Sequence, residues 1–124
     1  MNTKTTRGIG PALVLVAASL LTASTAQAHA HLLTSLPTAD ATVGATQNIH
    51  LQFSEALEPK FSGVELKTAG GGAIEVTSKV AGKDRKTLDA APKAPLTPGA
   101  YRVLWHVVSA DGHKMAGDYG FTVK

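Results

Sequence analysis

Tyr101-Arg102-Val103-Leu104-Trp105-His106-Val107-Val108 is the stretch on which the fold can be decided. Side chains on an extended chain alternate between two faces, so Tyr101, Val103, Trp105 and Val107 share one apolar face. Leu104 and Val108 make the opposite face partly apolar too, as expected of a strand near the middle of a sheet. Pro98-Gly99 supplies a turn before it, and Ala110-Asp111-Gly112-His113-Lys114 a turn behind it.

The same alternation recurs on both sides. Tyr119, Phe121 and Val123 line one face of a closing strand. Upstream, Asn48 to Phe53 puts Ile49, Leu51 and Phe53 on a buried face and His50 on the other. Gly63 to Lys67 alternates again, and Gly70-Gly71-Gly72 offers the positive φ of a hairpin turn before a strand at Ile74 to Thr77. Val80 to Lys86 reads as a polar loop and Thr87 to Ala90 as a short strand. Pro92, Pro95 and Pro98 are expected to bar ladder pairing after it. A first strand runs from His29 to Leu36 and gives way at Pro37 to the polar loop Thr38 to Thr42. About seven short strands, with no helical periodicity anywhere among them, predict an all-β fold, a small Greek-key β-sandwich or barrel.

The first 28 of the 124 residues read as a leader. Lys4 and Arg7 precede an apolar run from about Pro11 to Leu21, and Ala26-Gln27-Ala28 has the small-residue pattern of a signal-peptidase site. The apolar run falls short of the roughly 18 residues of a membrane span. Cleavage after Ala28 is expected to leave residues 29–124 as one exported domain. Losing Lys4 and Arg7, with no acid beside them, lowers the formal charge from +3 to +1, which is no electrostatic footprint for nucleic acid. Cysteine is absent, which excludes disulfides and thiolate ligands. A metal must then be held by imidazole, carboxylate or thioether, and imidazole suits Cu(II), zinc or nickel. All five histidines, His29, His31, His50, His106 and His113, lie beyond the cleavage site.

Cleavage would make His29 the first residue, with a free α-amine of pKa near 7.7–8.0 beside its imidazole. Amine and ring can close a chelate, and a second imidazole completes the three-nitrogen arrangement called a histidine brace, which suits the tetragonal preference of Cu(II). His113 is the candidate for that second ring. Asp111, two residues before it, could add a carboxylate oxygen or orient the ring from behind, although Asp-Gly is equally a common turn former. A rival geometry uses His31: amine, two deprotonated amides and the third-position imidazole bind Cu(II) in a plane. That mode needs a flexible terminus, and Leu32 and Leu33 are expected to pin the strand by packing. The brace is therefore preferred, with His31 as a neighbour or alternative ligand. Glu55, at the end of an alternating strand, could reach the site. His50 and His106 read as ordinary strand residues. Met115 is the only methionine beyond the leader, too few for a Cu(I) thioether cluster. No nucleophile elbow or phosphate-binding loop occurs.

Four segments together carry a family resemblance: His29-Ala30-His31-Leu32, Leu51-Gln52-Phe53-Ser54-Glu55, Leu96-Thr97-Pro98-Gly99-Ala100-Tyr101-Arg102-Val103, and Trp105 through Lys114. In this order and spacing the chain resembles the CopC periplasmic copper-binding proteins, including the YobA type. The resemblance implies a cupredoxin-like (Ig-like) Greek-key sandwich that binds Cu(II) at its mature N-terminus. The implied ligands are His29 through amine and ring, His113 through its ring and Asp111 through its carboxylate, with Glu55 at a matching acidic position near them. The implied role is non-catalytic copper homeostasis and resistance, beside a CopD-type inner-membrane protein; a monomer holding one copper ion per chain is expected. Members with a second, Cu(I) site carry a methionine-rich loop, whereas Lys67 to Ile74 here holds neither methionine nor histidine. The alternative class is a copper oxygenase of the lytic polysaccharide monooxygenase type, which also presents an N-terminal histidine on a β-sandwich. Against it, a carboxylate ligand would occupy a position that oxygen needs, and most aromatic residues fall in strands as core rather than on a platform.

Overall fold

The computed structural model describes residues 30–45 and 48–124, so the leader and His29 lie outside the described residues. Nine strands follow in order: β1 Leu32–Leu36, β2 Thr42–Val43, β3 Ile49–Phe53, β4 Gly63–Thr68, β5 Ala73–Ile74, β6 Val76–Ala81, β7 Thr87–Pro92, β8 Gly99–Val108 and β9 Lys114–Val123. A single 3-10 turn, Pro59–Phe61, is the one helical element among the described residues. Two sheets face each other, ordered β1-β3-β7-β6 and β2-β9-β8-β4-β5. The all-β sandwich is thus as expected, with two more strands than anticipated. β2 is two residues long, too short for alternation to reveal, and the strand expected at Ile74 to Thr77 divides at Glu75 into the two-residue β5, which closes the expected hairpin with β4, and β6 in the other sheet.

β8 lies inside its sheet, between β9 and β4, as its two apolar faces require. Tyr101, Val103 and Val107 are buried, and they meet Ile49, Leu51 and Phe53 of β3, Leu66 of β4, Leu88 of β7 and Phe121 of β9 in one core. Three expectations change. Val80 to Lys86 is not all loop, because β6 continues to Ala81; Ser78 interrupts its inward apolar face between Val76 and Val80, its hydroxyl accepting from Val64 N–H of the other sheet at 3.4 Å, so alternation is masked. Pro92 does pair, taking the last rung of β7 opposite Val76, at a strand end where a missing N–H is tolerated. Leu33 does not pin β1, since it is 59% exposed.

The two sheets are joined by an edge-to-face contact, with the rings of Phe53 and Trp105 5.2 Å apart and inclined at 71°. Trp105 pairs across the ladder with Gly117. A Cβ at position 117 would fall 2.3 Å from Trp105 Cζ2, so the indole lies directly on the backbone of β9. Gly117→Ala should therefore displace the indole and destabilise the domain by about 1–3 kcal/mol, the usual cost of overpacking. Urea unfolding followed by tryptophan fluorescence would measure this, and an unchanged midpoint would show that the indole moves aside freely.

Candidate metal centre

The turn between β8 and β9 is closed by its own backbone. Ser109 N–H donates to the His113 carbonyl at 2.9 Å and Gly112 N–H to the Ser109 carbonyl at 2.8 Å. Gly112 has φ of +90°, the left-handed conformation that glycine adopts without steric penalty. This turn, and not the extended spacing expected of residues i and i+2, brings the two predicted side chains together. His113 Nδ1 lies 2.8 Å from Asp111 Oδ2. On the other side the Ser109 hydroxyl, 1% exposed, donates to Asp111 Oδ1.

The carboxylate is consequently held between two donors. Its pKa drops from 3.8 to about 2, chiefly through the Ser109 hydrogen bond and further through the His113 ring and amide, with burial opposing them. A carboxylate has about four lone-pair positions, so these bonds still leave an acceptor site on Asp111. Because Asp111 takes Nδ1, Nε2 is the His113 nitrogen turned towards other partners. A carboxylate behind an imidazole in this way fixes ring orientation and raises its basicity as a ligand.

The segment Ser54 to Leu57 connects this turn to the start of the described chain. His31 N–H donates to Ser54 Oγ at 2.8 Å. Ser54 N–H returns a bond to the His31 carbonyl at 2.9 Å, and Ala110 N–H donates to the Ala56 carbonyl at 2.9 Å. Leu57 forms a bridge with Ser109. From Ser54 to Ala56 an extended chain spans only about 7 Å. Ala30 is fully buried, so the start of the described chain is pinned two residues before Leu32, the first of the leucines. Glu55 is exposed between the two attachment points. Asp111 and His113 are therefore in contact, His31 and Glu55 flank the same segment, and His29 lies outside the described residues. Among the described residues no group of three or more metal-binding side chains forms.

The remaining histidines are placed elsewhere. His50 Nδ1 meets Asp89 Oδ1 at 2.5 Å on the outer face of the β3–β7 pair, beside an open groove of about 500 Å³ that shares no lining residue with the turn. His106 lies over Gly63, where a Cβ would come within 3.1 Å of its ring. Sequence reading missed Ser54 and Ser109. Ser-x-Asp before glycine is a turn signal that points to Ser109; Ser54 has no local signature, because its partner is 23 residues away.

A family model described as the CopC domain matches residues 32–124. Copper resistance protein C of Xanthomonas campestris pv. juglandis is 44% identical over 124 aligned residues, covering 95% of this chain and 97% of its own. Protein YobA of Escherichia coli K12 is 43% identical, covering 97% of this chain and 98% of its own. Among solved structures, PcoC, a methionine-rich copper resistance protein from Escherichia coli, superposes with a TM-score of 0.70 at 40% identity, over 77% of this chain and 99% of that one.

The depressed Asp111 carboxyl has a consequence for pH. Its ionised form stabilises the turn above pH 3.8, and that contribution is lost as the pH falls towards 2. Ser109→Ala should raise the Asp111 midpoint towards 3.8 in a carbon-13 NMR titration of the metal-free protein. A midpoint that stays near 2 would assign the depression to His113 alone.

Proposed function

The chain belongs to the CopC family, and from that premise we propose that the mature protein is a periplasmic Cu(II)-binding protein of copper homeostasis and resistance. It carries or buffers one Cu(II) per chain as cargo. Cleavage after Ala28 frees the His29 amine, which with the His29 ring and His113 Nε2 forms a histidine brace, and Asp111 supports the site as orienting group and oxygen donor. Three nitrogens and a carboxylate suit Cu(II) in a tetragonal field. The observation that carries this reading is the Asp111–His113 pair, 2.8 Å apart, on a turn bonded to the same short segment as His31.

The protein is a carrier, not an enzyme. Phe53, Tyr101, Tyr119 and Phe121 are buried and Trp105 packs against the core, so no aromatic platform for a polymer is built from them. PcoC bears the description methionine-rich. Here β4, β5 and the loop between them contain no methionine, which supports a Cu(II) site without a Cu(I) partner site. A CopD-type inner-membrane protein is the proposed delivery partner, and the protein acts as a monomer.

Protein beginning at His29 should take up one equivalent of Cu(II) with nitrogen hyperfine structure in its spin-resonance spectrum. His113→Ala should abolish that spectrum. A chain that retains Ala28 should lose it as well, because the amine then becomes an amide and a poor donor. Unchanged binding in both would sink the brace.

A further inference from the structure

Resting on the reading of the mature N-terminus as a Cu(II) site, we propose that Ser54 is a specificity-determining residue: it decides which of two copper geometries the terminus can form. His29-Ala30-His31 carries a complete planar four-nitrogen set, made of the amine, the amides of Ala30 and His31, and the His31 ring. In that mode both amides bind as anions, each losing a proton to solvent, and the copper stays divalent. The backbone must also curl so that three consecutive nitrogens converge on one metal.

The fold opposes this at His31. Its N–H, one of the two protons the planar mode must remove, is donated to Ser54 Oγ at 2.8 Å. Its carbonyl accepts from Ser54 N–H at 2.9 Å, so His31 is held as an added rung beside the Leu32 and Phe53 pair of β1 and β3. Ala30, whose amide is the other proton source, is fully buried. Planar chelation would break the bond to Ser54 Oγ and draw Ala30 out of the core. The brace leaves both amides protonated and does not require the His31 bond to Ser54 Oγ to break. Ser54 thereby keeps a closed, self-sufficient chelate from forming and leaves copper to the site that includes His113.

The test uses protein beginning at His29, with two measurements. Without metal, amide hydrogen exchange at His31 should be slowed in the native protein, and Ser54→Ala should lose that protection. With one equivalent of Cu(II), Ser54→Ala should gain a four-nitrogen planar component in its spin-resonance spectrum. His31→Ala in the same background should remove that component. Ser54→Thr, which keeps the hydroxyl, should retain the native spectrum. A peptide of residues 29–34 serves as the planar reference. Native exchange and a native spectrum in Ser54→Ala would overturn the role of Ser54 and leave the brace standing. A planar spectrum in the native protein, abolished by His31→Ala, would overturn both. A native protein that takes up no Cu(II) would overturn the copper reading and this proposal with it, even if His31 exchange is slowed.

Discussion

Ten consecutive rungs join β8 to β9, from Gly99 opposite Val123 to Val108 opposite Lys114, and the rest of the molecule hangs on that ladder. It brings Trp105 onto Gly117 and so sets the indole against Phe53 of the other sheet. It also ends in the turn from Ser109 to His113, whose backbone bonds fix where Asp111 and His113 stand. Packing and chemistry share one hairpin: its middle fills the core and its closed end presents the polar pair. The proposed site needs such a rigid base, because a ligand ring displaced by an ångström binds metal more weakly.

Electrostatics at that end is local. The formal charge of the proposed mature chain is close to balance, so little long-range field would draw a cation in. Asp111 instead supplies a fixed negative charge, kept ionised to about pH 2 by the Ser109 hydroxyl and by His113. That carboxylate orders the ring that faces it, and in the proposed site it would meet the metal's charge at short range. Copper capture on this design relies on donor arrangement more than on attraction at a distance.

How much of this was legible in the sequence depended on how local each signal was. β3, β4 and β8 were readable because alternation extends over five residues or more. β2 was not, since two residues carry no period, and β6 hid its pattern behind Ser78 on its inward face. Asp111 and His113 were nameable as neighbours because two positions separate them. The clamp between His31 and Ser54 was invisible, because a bond across 23 residues exists only once the sandwich has formed. The pinning was expected from Leu32 and Leu33; Leu32 does pack against the core, Leu33 does not, and Ala30 and Ser54 add to it.

The small parallel pairing of β2 with β9 has a wider meaning. Thr42 and Val43 sit beside Thr122 and Val123, and Lys124 N–H donates to the Val43 carbonyl at 3.0 Å, so β9, the last of the nine strands, secures one of the first. Contacts this distant in sequence form late. The pieces of the proposed copper site, residues 29–31, 54–57 and 109–113, are likewise scattered along the chain. An unfolded chain therefore owns the donors without their geometry. Metal capture at the proposed site would then be a form of inspection, open only to a chain that has folded.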